Sequence, residues 1–351
     1  MTSHTRPARP SIPDGLLAFL QDYDTYYLVT HTEPDGDCLA SSLALGSFLE
    51  RVLGKTVHHL NEGPFERREI IRYQRYFRPT LDPADRAAAK NPAAVILDCT
   101  GPDRVGKLAD QIDGLPTAVI DHHASGAPYG DVRLVDPSQA ATCYLIQLTI
   151  EAIAQQIGVP PSETLTSDEA YLLFFGIATD TGFFRHLEAN SAALFAAVSR
   201  LMARNVSPKE IHAHMTGGKT LASRQLLATL LGRAKPFAGQ QGLITYETIS
   251  DIQEYGKVSR DSDPLYQLMF SIEGIRAAAV IREENETSCT GSLRSIDSID
   301  VSRIAQLFGG GGHKRAAGFA CDKPYRDVLE QVVEEFEAAF RADQSQRCNK
   351  L

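Results

Sequence analysis

Six side chains carry the chemistry this sequence offers: His31, Asp35 and Asp37 in HTEPDGDCLASS, Asp98 in AVILDCTGPD, His122 in AVIDHHASG and Asp180 in GIATDTGFF. Four carboxylates and two imidazoles gathered at one rim would repel one another and lose hydration unless divalent cations neutralised them. Taken alone, each has an ordinary explanation. Asp-Gly-Asp is a common solvated turn, and Asp98 would cap a helix starting near Pro102. The adjacent histidines would be satisfied polar residues, and Asp180 would close a predicted helix, although a carboxylate there opposes the macrodipole and favours a nearby cation. A shared metal site accounts for all of them together. The chemistry that follows is phosphoester hydrolysis, in which two cations activate a water, clamp the phosphoryl group and stabilise charge developing on its oxygens. Oxygen donors suit Mg²⁺, and imidazoles in the set shift the preference to Mn²⁺, with Co²⁺ as a further candidate.

These residues need elements to converge them. From Tyr26 to about Thr149, short apolar runs alternate with amphipathic stretches, the texture of a parallel sheet covered on both faces. YYLVTH, TVHHLNEG, AVILDCT and TAVIDHH read as strands, and CLASSLALGSFLERVLG as a helix. His31, Asp98, Asp121 and His122 fall at the C-terminal ends of such runs, where open α/β sheets place their binding crevice. His58 and His59 in TVHHL point to opposite faces of a strand and read as structural. ATCYLIQLTIEAIAQQIG and SDEAYLLFFGIATDTGFF read as helices, the second starting at Ser167. Residues 191–230 read as a helical connector. Beyond it GLITYETI, AAAVIREEN and SCTGSLRS read as strands, DVSRIAQLFGGGGHKRAAGF as a helix entering a glycine loop, and YRDVLEQVVEEFEAAFRA as a closing amphipathic helix. The expected architecture is α/β: a catalytic parallel-sheet domain over 1–190, the connector over 191–230 and a smaller α/β substrate-binding domain over 231–351, with the active site in the cleft between domains.

The chain has 351 residues, 43% hydrophobic, with a net charge of −9. An acidic surface excludes broad adhesion to long nucleic-acid duplexes but admits a small anionic substrate held by cations and a few arginines. Six cysteines, at 38, 99, 143, 289, 321 and 348, include no CxxC pair. Free, buried thiols and a reduced, cytoplasmic setting are expected. No apolar run reaches the roughly 18 residues needed to cross a bilayer.

The run Asp121-His122-His123, with HTEPDGD before it and SLRS and GGGGHKRAAGF after it, resembles the DHH phosphoesterase family with its DHH-associated C-terminal domain. The resemblance covers nearly the full chain and is nearest to the nanoRNase type, which also dephosphorylates 3′-phosphoadenosine 5′-phosphate (PAP). It implies that His31, Asp35 and Asp98 hold one metal and Asp37, Asp98, His122 and Asp180 the second, with Asp98 bridging. Asp98, Asp121 and His123 would form the catalytic set, Asp121 orienting an imidazole and His123 facing phosphate or handling a proton. Ser292, Arg294, Gly310, Gly311, Gly312 and His313 would grip the terminal phosphate and nucleotide of the substrate. Arg185, five residues after Asp180, is placed by proximity to reach the phosphate. A helix starting at Ala140-Ala141-Thr142 would offer its N-terminus to phosphate. The expected substrates are short oligoribonucleotides and PAP. Alternatives are pApA or cyclic di-AMP, then a RecJ-like DNA exonuclease or a nucleotide sensor without turnover. The resemblance also implies a homodimer.

Overall fold

A computed structural model describes residues 10–124, 128–187, 189, 191–256 and 262–348. The chain forms two compact units that divide between Gly218 and Lys219.

The first unit is built on five parallel strands: β1 (Thr25–Thr30), β2 (Thr56–Leu60), β3 (Pro92–Leu97), β4 (Thr117–Asp121) and β5 (Val132–Val135), in the order β2-β1-β3-β4-β5. Every residue of β1 and β4, and all but the first of β3, is buried. Strands covered on both faces read as unbroken apolar runs for this reason. Alternate residues feed two cores. Tyr26, Leu28, Val95 and Ile120 pack under the helices Gly36–Leu53, Thr142–Gln156 and Ser167–Asp180, while Tyr27, Val29, Ile96 and Val119 pack on the opposite side with Leu108 and Ile112. Chain direction across the sheet reverses between β1 and β3, so the crevice for a ligand opens beyond their C-terminal ends.

The helix Ser167–Asp180 is capped by Thr166, one residue before the start expected from sequence. Its hydroxyl accepts from the Glu169 amide and the Glu169 carboxylate answers to the Thr166 amide. The stretch expected as a connector is three helices. Ala192–Met202 and Pro208–Thr216 bury Leu194, Leu201 and Ile211 in the core of the first unit, and Leu221–Gly232 buries Leu226 and Leu230 in the second.

The second unit carries six strands: β6 (Lys235–Phe237), β7 (Gly242–Glu247), β8 (Ala277–Asn285), β9 (Ser288–Ser295), β10 (Gly311–His313) and β11 (Ala316–Cys321), ordered β10-β11-β9-β8-β7-β6. Only β7 and β8 pair in parallel, joined through the helices Ile249–Tyr255 and Asp263–Phe270. The closing helix Tyr325–Cys348 buries Val328, Val332, Phe336 and Phe340, spaced by one turn, against this sheet. The glycine run expected as a loop is β10 in its last part, paired with β11. It does not read as a strand because glycine has no side chain to signal alternation. Among the described residues no helix is long and apolar enough to cross a membrane. Cys38, Cys99, Cys143, Cys289 and Cys321 are free thiols, all but Cys321 buried, and the Cys348 side chain lies outside the described residues.

Candidate metal centre

β1 ends immediately before His31 and β3 immediately before Asp98, on the two sides of the point where strand order reverses. Asp98 stands at φ 62°, a left-handed conformation that Asp tolerates better than most residues and that accumulates where function imposes it. Asp35 is the N-cap of the helix Gly36–Leu53 and accepts from the Cys38 amide at 3.1 Å. Gly36 is the close approach that sets this helix against Ser167–Asp180: a Cβ there would lie 2.5 Å from the Thr179 hydroxyl oxygen. A larger residue would push Asp35 and Asp37 away from Asp180.

The imidazoles are oriented by carbonyl groups. His31 Nδ1 donates to the Thr32 carbonyl at 2.8 Å, which turns Nε2 toward Asp98 Oδ2, 3.6 Å away. His122 Nδ1 faces the Gln139 carbonyl at 3.3 Å. Its Nε2 lies 3.6 Å from Asp98 Oδ1 and 3.3 Å from Asp180 Oδ2. That nitrogen is buried and makes no hydrogen bond. A lone pair and two carboxylate oxygens hold such spacing stably only with positive charge among them, so the donor set fits a divalent cation. Asp98 turns one oxygen to each histidine, the disposition of a ligand shared between two ions. Donor atoms of Asp37, His122 and Asp180 lie within 4.8 Å of one another, as do those of Asp98, His122 and His123, and those of His31, Asp35 and Cys38. Each of the six predicted ligands thus falls in one of three clusters, two of which share His122, while Asp98 faces His31 of the third at 3.6 Å.

Electrostatics agree with geometry. Asp37 is fully buried, and although it accepts from the Thr142 amide at 2.6 Å and the Cys143 amide at 2.9 Å, burial and Asp35 push its carboxyl up to about 6. Burial, then Asp37, pushes Asp180 up to about 7, and burial with Asp37 and Asp35 holds Asp98 well above the usual carboxylate range. Desolvation of like charges raises carboxyl pKa values, and cations reverse it.

Asp121 orients His123, its Oδ1 accepting from both Nδ1 at 2.8 Å and the backbone amide at 3.0 Å. This bond raises the half-exposed His123 above the ordinary histidine value. His59 bonds Ser42 and His58 stacks on Tyr27, both serving the scaffold.

Sequence reasoning missed the residues that hold the ligands in place. Thr142 donates its hydroxyl to Asp98 Oδ1 at 2.7 Å. Asn61 donates to the His31 carbonyl at 2.7 Å. The helix N-terminus at Thr142, expected to receive phosphate, is taken by Asp37: both amides that would meet an anion already do. No local signal marks these roles, which arise from contacts far apart in sequence.

The expected substrate residues are placed as follows. Arg185 turns back on its own chain, Nε donating to the Gly182 carbonyl at 2.8 Å. Ser292 and Arg294 share the half-buried face of β9, opposite Gly318 and Ala316 of β11, which in turn pair with Gly311 and His313 of β10. Ser292, Arg294, Gly311 and His313 therefore lie on two alternate rungs of one sheet, separated by the rung of Leu293, Ala317 and Gly312. The Arg294 guanidinium sits 5.2 Å from the Tyr266 ring centre. A Cβ at Gly310 would lie 2.2 Å from the Gly318 carbonyl oxygen and one at Gly312, which has φ 142°, 2.6 Å from that of Ala316, so both glycines are required by packing on β11.

Residues 25–177 match the DHH family, N-terminal domain, and residues 250–342 match the DHHA1 domain. The bifunctional oligoribonuclease and PAP phosphatase NrnA of Thermus thermophilus is 29% identical over 320 residues, spanning 89% of this chain and 90% of its own. Its namesake from Bacillus subtilis is 24% identical over 305 residues, spanning 86% and 91%. An exopolyphosphatase-related protein from Bacteroides fragilis has the same fold, with a TM-score of 0.75, 22% identity and coverage of 93% of this chain and 97% of its own. The chain belongs to the DHH family, with a DHH N-terminal domain followed by a DHHA1 domain.

Proposed function

We propose that this protein is a metal-dependent phosphoesterase that hydrolyses short oligoribonucleotides and releases phosphate from PAP. The observation that carries this reading is the buried, unbonded His122 Nε2 between carboxylate oxygens of Asp98 and Asp180. The activity named for the two relatives, each matched over most of its length, supplies the substrate class. Two divalent cations, Mn²⁺ by the mixture of oxygen and imidazole donors, would supply an activated water and Lewis-acid stabilisation of the phosphoryl oxygens.

His31, Asp35 and Asp98 would hold one cation, and Asp37, Asp98, His122 and Asp180 the other. Thr142 keeps Asp98 oriented for both. Asp121 fixes the His123 ring through Nδ1, which leaves Nε2 to carry the proton for the departing hydroxyl. The bond to Asp121 raises the His123 pKa above the ordinary histidine value, which favours the protonated ring. Ser292, Arg294 and His313 would grip a substrate phosphate, with Arg294 held by the Tyr266 ring beside it. An acidic chain with a local cationic grip suits short substrates better than long duplexes.

The test is hydrolysis of 5′-labelled di- to decaribonucleotides, PAP, pApA and cyclic di-AMP with Mn²⁺, Mg²⁺ or a chelator. Cleavage of the shortest RNAs and of PAP, abolished by chelator, is expected. Degradation of long DNA alone, or turnover in chelator, would overturn the proposal.

A further inference from the structure

We infer that Cys38 is a metal ligand, its sulfur joining His31 and Asp35 at one cation position and making that position selective for a thiophilic ion such as Zn²⁺, Co²⁺ or Fe²⁺. The inference rests on the metal centre proposed above and adds a donor to it.

Three observations on the structure lead there. First, Cys38 is the one cysteine among the described residues that falls in a cluster of metal-donor side chains, with donor atoms of His31, Asp35 and Cys38 all within 4.8 Å of one another. An ion bonding at roughly 2.1 Å to nitrogen or oxygen and roughly 2.3 Å to sulfur separates its donors by at most about 4.5 Å, so closure onto one ion needs only small side-chain movements. Second, the three donors are held relative to one another. The Cys38 amide donates to Asp35 Oδ1, and the His31 ring is fixed by the Thr32 carbonyl with Nε2 left as the donor. Third, the other buried thiols have different surroundings. Cys143 bonds the Ser41 hydroxyl and the Asp37 carbonyl, Cys99 the Leu97 carbonyl, and Cys289 faces Cys321 at 3.6 Å. Cys38, wholly buried, has an imidazole and a carboxylate beside it instead.

The chemistry balances without an oxidant: the S–H bond breaks, its proton leaves to solvent, and a metal–sulfur bond forms with no change in oxidation state. A thiolate donor shifts preference away from Mg²⁺ and Mn²⁺, which favour oxygen. One position of the centre would then take a softer ion than the oxygen-rich Asp37–His122–Asp180 position.

Cobalt makes the sulfur visible. The full chain, stripped with chelator and reloaded with Co²⁺, should show a near-ultraviolet sulfur-to-cobalt charge-transfer band at two bound ions per chain. Cys38→Ser and Cys38→Ala should lose that band, while Cys289→Ser keeps it. The affinity of the first two variants for Cd²⁺ should fall by at least about tenfold, since even an outer-sphere partner of a ligand is worth that much, and their Mn²⁺ affinity should change far less. Two bound cobalt ions in the unaltered protein without the band would overturn the role of Cys38 and leave the metal centre standing. Failure of the unaltered protein to bind cobalt at all would overturn both.

Discussion

The centre at the ends of β1, β3 and β4 and the glycine-rich edge of the second unit were equally conspicuous as motifs, yet their environments differ. Around Asp98, carboxyls are raised far from their ordinary values, a buried histidine nitrogen makes no hydrogen bond, and His31, Asp35, Asp37, Asp98 and His122 are each oriented by a neighbour. On β9 and β10, Ser292 and Arg294 are partly exposed and His313 is exposed, and the glycines at 310 and 312 are explained by contact with β11. Groups that must hold charged ions are preorganised at a visible electrostatic cost. Groups that meet only a transient substrate need no such arrangement, so their function leaves a fainter trace in the fold.

Mutation can break or sharpen this contrast. The largest effect is expected at Asp98, where Asp98→Asn should lower hydrolysis at least about 1,000-fold by removing the shared charge from both cation positions. Next, His123→Gln should lower kcat about 100-fold, the typical contribution of a positioned proton donor, and flatten the alkaline limb of the pH profile. Arg294→Ala should cost about 10- to 100-fold in kcat/KM, mostly through KM, as for loss of one charge-assisted hydrogen bond. If Arg294→Ala instead lowered kcat alone, β9 would belong with the reacting groups and the contrast would fail.

The smallest effect is on stability. Asp37 and Asp180, raised to about 6 and about 7, bind protons in the folded chain that the unfolded chain releases from about pH 4 upward. Chelator-treated protein should therefore lose stability as pH rises from about 4 to about 7, with Tm falling by several degrees over that window. Added Mn²⁺ should reverse the trend. A Tm that climbs steadily with pH in chelator would show that these carboxylates are not crowded.

Much of the scaffold was legible because β1, β3 and β4 are buried on both faces and announce themselves as TYYLVT, PAAVIL and TAVID. β5 was not, since VRLV sets an arginine in a four-residue edge strand, and β10 and β11 were hidden in a glycine run and its continuation. The six candidate metal donors stood out because acids and histidines at strand ends are unusual in combination. Thr142, Asn61 and the Gln139 carbonyl did not, being common residues whose roles depend on pairing across 44, 30 and 17 residues of chain. In sequence Cys38 reads like the other free, buried thiols, and only its placement beside His31 and Asp35 distinguishes it.

The most direct measurement is calorimetric titration of Mn²⁺ into chelator-stripped protein, alongside Asp98→Asn. Two ions per chain are predicted for the unaltered protein, with both sites weakened by the single substitution. A protein that binds none, or a variant that binds two as tightly as before, would contradict a centre built around Asp98.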